Sequence, residues 1–130
     1  MNSILSRRKK GFTLVELLLA VFILTWAIGG VLLLYASSMI SSQLAWDTIV
    51  ATSHAEHILE EMQTRDSLGD ILAVNWGSWA GGQGLNTLPD ETIDVSFTDS
   101  DTNLLGVGVT VNWIRKSRTR HVDLKTKITK

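Results

Sequence analysis

Residues 9–36 read KKGFTLVELLLAVFILTWAIGGVLLLYA, and this stretch decides the fold. From Leu17 to Ala36 it runs for 20 residues without a charge. At 1.5 Å of helical rise per residue it covers about 30 Å, the thickness of a hydrocarbon core. Arg7, Arg8, Lys9 and Lys10 stand just before it. A basic tail alone points toward nucleic acid, but one followed at once by an apolar run is a membrane-orientation signal. It holds the N-terminus in the cytoplasm and sends the C-terminus across. The run is too long for a secretory signal peptide, and no small-x-small cleavage site follows it. A plain single-pass anchor explains the apolar run and its basic flank. It leaves Glu16 unexplained.

Glu16 stands one turn into the apolar segment, beside Phe12, Leu14, Val15 and Leu17. A carboxylate there costs about 2–3 kcal/mol on insertion scales, depending on depth, so it calls for a partner or a function. No Lys or Arg lies between Phe12 and Arg65, so the same helix supplies none. A cut after Gly11 would create a cation, the new α-amino group of Phe12. Amine and carboxylate would then be one helical turn, about 6 Å, apart along the axis. Axially staggered helices could pair the amine of one with Glu16 of the next, neutralising both in a dry core.

The run Lys9-Lys10-Gly11-Phe12-Thr13-Leu14-Val15-Glu16-Leu17, followed by an apolar span, resembles the class III signal of type IV pilins and pseudopilins. The resemblance implies a prepilin peptidase that cuts after Gly11 and methylates the new N-terminus at Phe12. Gly11 then offers the protease a residue without a side chain, and Glu16 aligns the subunit during assembly. The implied partners are that peptidase, other pilin or pseudopilin subunits, an inner-membrane assembly platform and, before assembly, membrane lipid. The implied course runs from a single-pass inner-membrane precursor, its C-terminal domain periplasmic or extracellular, to a pilus or pseudopilus. One departure stands out. Pilins often carry a helix-breaking proline within the span, whereas the one proline here is Pro89. Gly29-Gly30 is the available weak point, costing about 1 kcal/mol per glycine against alanine. It reads either as a melting site or as a place for close helix packing.

Beyond Ala36 the apolar residues become spaced. Ile40, Leu44, Ala51, Ala55, Ile58 and Met62 mark one face of a helix, and no Pro or Gly interrupts Val31–Leu68. One helix from Phe12 to about Arg65 is therefore expected, about 80 Å long, ending near Ser67-Leu68 with Gly69 as its C′ residue. His54 and His57, with Glu60 and Glu61 nearby, have the look of a metal site, although a polar helix face accounts for the same spacing. Ala55-Glu56-His57-Ile58-Leu59-Glu60-Glu61-Met62 resembles the matching helix of I-type minor pseudopilins and V-type minor pilins.

Residues 69–91 hold two tryptophans, Trp76 and Trp79, several glycines and Pro89, and read as a loop. The tryptophans either pin it to the domain or meet another subunit, and a short helix around Asp70–Val74 is compatible with its length. Thr92–Thr98, Leu105–Trp113 and Arg120–Ile128 alternate apolar and polar residues, which predicts three β-strands in an antiparallel meander. The expected fold is α+β, a pilin-like ladle. A leader (1–11) is followed by a transmembrane half-helix (12–36), an amphipathic half-helix (37–68), the loop (69–91) and the sheet (92–130). The closing segments, Val109–Trp113 and Arg118–Val122, also resemble the last hairpin of the V-type and I-type proteins.

Asp99, Asp101 and Asn103 open like a calcium loop, but Leu104 stands where its glycine belongs and Thr110 where its closing glutamate belongs. A turn-rich hairpin explains them as well. Arg115, Lys116, Arg118 and Arg120 form a basic cluster that suits either DNA or a solvated hairpin tip. The leader contributes four basic residues, so without it eight basic stand against thirteen acidic residues. The chain has no cysteine, hence no disulfide or thiolate site. No nucleophile–base pair, phosphate loop or zinc spacing appears, so no enzymatic activity and no cofactor are expected. The reading is a minor structural subunit of a type II secretion pseudopilus or type IV pilus. The alternatives are a pilus-displayed binding subunit and a plain anchor.

Overall fold

The computed structural model describes residues 11–101 and 103–130, with the backbone alone for Asp99, Ser100 and Asp101. The basic leader residues Arg7, Arg8, Lys9 and Lys10 lie outside the described residues. The chain divides into two compact units, Met1–Ser42 and Gln43–Lys130.

One element belongs to both units, helix α1 (Leu14–Thr64). It has the length and composition to cross a membrane. All its described residues in the first unit are exposed, and its large apolar side chains from Leu14 to Ile40 expose 44–77 % of their surface. Hydroxyl groups within this stretch are satisfied locally. Thr25 donates to the Val21 carbonyl at 2.8 Å and Ser37 to the Leu34 carbonyl at 2.9 Å. Such back-bonding lets a polar side chain sit in an apolar setting without a partner outside the helix.

In the second unit, α1 lays Ala51, Ala55, Ile58 and Met62 on a three-stranded antiparallel sheet. The strands are β1 (Thr92–Asp101), β2 (Leu104–Arg115) and β3 (Arg118–Thr129), in the order β1-β2-β3. The central strand β2 buries its large apolar side chains Leu105, Val107, Val109, Val111 and Trp113 on one face, and Gly106 and Gly108 between them are buried as well. The expected α+β architecture and meander are present. The helix face differs in detail: Ile40 is exposed, Leu44 is half-buried, and buried Asp47 takes the next inward position.

The helix stops at Thr64, short of Gly69. Ser67 caps a second helix, α2 (Leu68–Ala73), so it takes an extended backbone (φ −141°, ψ 158°) that α1 cannot accommodate. Its hydroxyl accepts the Asp70 N–H at 3.2 Å and donates to Asp70 Oδ2 at 2.7 Å. Gly69 therefore lies inside α2. A third helix, α3 (Trp76–Gly82), starts at Asn75, whose side chain accepts the Ser78 N–H at 3.1 Å. The segment read as a loop is thus largely two short N-capped helices, each too brief to show a period in sequence.

Candidate functional site

The N-terminal turn of α1 is built from its cap. Thr13 precedes the helix, its carbonyl accepting the Leu17 N–H at 3.2 Å and its hydroxyl accepting the Glu16 N–H at 3.3 Å. It therefore satisfies two of the N–H groups that a helix start leaves open. Thr13 and Glu16 stand at capping-box spacing, and an acid in the first turn favours the positive end of the helix dipole. Glu16 is exposed, and among the described residues no basic side chain pairs with it. Gly11 and Phe12 precede the helix, Phe12 with 79 % of its surface open. Gly29 and Gly30 lie within the unbroken helix, and a Cβ added at either meets nothing within 4 Å.

The other residues singled out in the sequence go elsewhere. Arg115 does not belong to a free basic cluster. Its Nε and Nη2 donate to Asp47 Oδ2 and Oδ1 at 2.7 and 2.6 Å, a bidentate pair joining the end of β2 to α1. Asp47 is only 2 % exposed. The hydrogen bond to Asp47 raises the arginine's pKa against desolvation, and the negative charge of Asp47 adds to the rise. Lys116, Arg118 and Arg120 remain exposed.

His54 and His57 serve different partners. Buried His54 donates Nδ1–H to Glu91 Oε1 at 2.6 Å, while Glu91 Oε2 accepts the Leu88 N–H at 2.9 Å. His57 is exposed and stacks on Trp79, centroids 6.0 Å apart. Of the nearby acids, Glu61 pairs with Arg65 at 2.8 Å. Trp76 is buried and donates Nε1–H to the Ile71 carbonyl at 2.8 Å, with half-buried Trp79 against its edge. The two tryptophans thus pin α2 and α3 to the domain.

The side chains of Asp99 and Asp101 lie outside the described residues, and Asn103 is exposed in the β1–β2 turn. Thr110, at the position a calcium loop closes with glutamate, donates to Asp123 Oδ1 at 3.1 Å instead. Sequence reasoning missed Asp47–Arg115 and His54–Glu91. The one available signal was an acid, Asp47, interrupting an apolar face.

A family model described as the prokaryotic N-terminal methylation motif matches residues 6–32. Searches of curated proteins and of solved structures return no match. The matched segment covers the basic residues, Gly11, Phe12, Glu16, Gly29 and Gly30. The motif implies processing by prepilin peptidase and assembly with other pilin subunits, and its family is structural rather than enzymatic. Together with one long apolar helix it suits a membrane-anchored precursor. The chain carries the prokaryotic N-terminal methylation motif, the class III signal of type IV pilins, ahead of a long helix and a three-stranded antiparallel sheet, an α+β arrangement that fits the pilin fold.

Proposed function

We propose that the protein is a minor structural subunit of a type II secretion pseudopilus or type IV pilus. Prepilin peptidase removes residues 1–11 by cutting after Gly11 and methylates Phe12. Residues 12–36 then pass from the membrane into a filament core, and Glu16 meets the Phe12 amine of a neighbour. The C-terminal domain lies on the periplasmic or extracellular side. The observation carrying this reading is Glu16 itself, an acid in the methylation motif, in the first turn of α1 and directly before the charge-free run Leu17–Ala36, to which the described residues offer no cation. An acid so placed is costly unless a neighbour neutralises it.

Intact mass after co-expression with a prepilin peptidase tests the first step. The expected product lacks residues 1–11 and carries one added methyl group; an uncut precursor refutes the reading. Glu16→Ala tests the second. Cleavage should persist while incorporation into sheared filaments is lost, and normal incorporation removes the assembly role. A second reading, a pilus-displayed receptor for DNA or a surface ligand, draws on exposed Lys116, Arg118 and Arg120. Arg118→Ala with Arg120→Ala tests it without disturbing Asp47. Unchanged DNA binding at unchanged piliation ends that alternative.

A further inference from the structure

The strand order β1-β2-β3 leaves β1 and β3 each with a row of backbone N–H and C=O groups that β2 does not use. The turn geometry fixes which residues of β3 form that row. Arg115 and Arg118 close the two-residue turn at Lys116-Ser117, and such a closing pair exchanges both backbone hydrogen bonds. Bonded pairs then recur at every second residue. Arg120, Val122, Leu124, Thr126 and Ile128 therefore bond to β2. The N–H and C=O groups of Thr119, His121, Asp123, Lys125 and Lys127 point away from it, along the outer edge of the sheet.

The two edges are treated differently. By the same alternation β1 bonds to β2 through Asp94 and turns Ile93 outward, and α3 packs over it. A Cβ added at Gly77 of α3 would meet the Ile93 carbonyl oxygen at 3.1 Å. No element among the described residues covers the outer row of β3 in this way. That uncovered edge is also cationic. Arg118, Arg120, Lys125 and Lys127 stand against one acid, Asp123, and all five are exposed. Like charges directly opposite repel, so a second copy's β3 is excluded from this edge, and an anionic strand is its complement. The two faces of β3 add a pattern. Lys125 and Lys127 lie on the face away from α1, while half-buried Val122 and Leu124 lie on the face that packs against the core. An incoming strand meets cations on one face and half-covered apolar side chains on the other. It matches both when acids alternate with apolar residues.

We infer that the outer edge of β3 accepts an antiparallel strand of another protein, one in which acidic and apolar residues alternate. Antiparallel pairing is the slightly more stable arrangement per residue. The acids of the incoming strand lie opposite Lys125 and Lys127, with their own N–H groups aimed at β3. Its apolar residues lie beside Val122 and Leu124. The backbone ladder supplies affinity and the alternate side chains supply selectivity. The surface lies wholly within the C-terminal domain, so the inference stands apart from the filament reading above.

The test uses the full chain in detergent and a short synthetic peptide alternating valine and glutamate. The peptide should bind and slow hydrogen exchange at the outward amides of Asp123, Lys125 and Lys127, and the same peptide with lysine for glutamate should not. Methylating the glutamate amide nitrogens removes the donors aimed at β3 and should abolish binding. Methylating the valine nitrogens, which point away, should leave it. Lys125→Glu with Lys127→Glu should weaken binding by about tenfold or more, because two attractions become repulsions. Both positions are exposed, so an unchanged thermal midpoint separates lost docking from lost folding. Absence of binding, binding that survives glutamate methylation, protection that falls outside β3, or two copies joined through β3 in place of peptide binding overturns the inference.

Discussion

Replacing Glu91 by alanine should destabilise the C-terminal domain more than any exposed substitution. The Glu91 side chain is 1 % exposed and its two oxygens serve two donors, His54 Nδ1–H and the Leu88 N–H. The alanine variant leaves both donors without an acceptor. A buried donor so stranded costs about 1–3 kcal/mol, and both stand in covered positions, His54 at 8 % and Leu88 at 7 % exposure. The loss is therefore about 3 kcal/mol. For a unit the size of Gln43–Lys130, each kcal/mol lowers Tm by about 4–8 °C, so the midpoint should fall by about 12–24 °C.

The companion variants identify the cause. Glu91→Gln keeps an acceptor for the Leu88 N–H, and its amide can donate to His54 Nδ1 in the other tautomer, so it should cost about 1 kcal/mol. His54→Ala strands a buried carboxylate with one donor, the costlier error, about 3–5 kcal/mol. Thermal unfolding of the full chain in detergent, followed by tryptophan fluorescence, reads all three. A Glu91→Ala midpoint within about 4 °C of the unsubstituted protein would show that the pair does not anchor residues 85–91. A Glu91→Gln variant as damaged as Glu91→Ala would show that charge, and not hydrogen bonding, is the stabilising feature.

The remaining predictions concern the sheet. Lys116 and Ser117 hold φ of 50° and 60° in the two-residue turn closed by Arg115 and Arg118, a type I′ geometry that favours Asn-Gly; Lys116→Asn with Ser117→Gly should raise stability by about 1–2 kcal/mol in a urea titration. A Cβ at Gly106 meets Thr98 Oγ1 at 2.6 Å and the Thr98 carbonyl oxygen at 2.7 Å, whereas at Gly108 its closest contact is the Ser96 hydroxyl at 2.7 Å. Gly106→Ala should therefore cost about 2–3 kcal/mol and Gly108→Ala distinctly less, because a side chain can rotate away and a backbone carbonyl cannot. The hydrogen bond from Lys125, helped by Thr110 and against some desolvation, holds the Asp123 carboxyl below its ordinary value. A depressed folded-state pKa adds stability that is complete above about pH 4 and lost as pH falls, so Asp123→Asn should flatten the pH dependence of unfolding below pH 4.

The long helix and the three strands were legible because each repeats a period over many residues. Val107, Val109 and Val111 alternate as a half-buried strand must, and Ala55, Ile58 and Met62 keep helical spacing. The two short helices were not, because six or seven residues carry less than two periods; only the caps Ser67 and Asn75 mark them. Arg115 was misread for a different reason. Beside Lys116, Arg118 and Arg120 it is one charge among four, and only the fold brings Asp47, 68 positions away, against its guanidinium. The motif at residues 6–32 was fully legible, since its residue types and spacing survive without tertiary context.

The pairing of Asp47 sharpens what Glu16 is for. The helix carries two acids before Glu56, and the domain treats one of them completely. Asp47 is buried and both its oxygens accept from Arg115. Glu16 has the opposite situation, exposed and at the far end of a helix whose intervening surface offers no cation. Ordinary anchoring needs neither acid, because a span free of charge inserts more favourably. A helix that hides one acid and leaves the other open fits the proposed function, which needs Glu16 free to pair with a neighbour. On the proposed assembly route, Glu16→Ala should therefore spare processing while impairing incorporation into filaments.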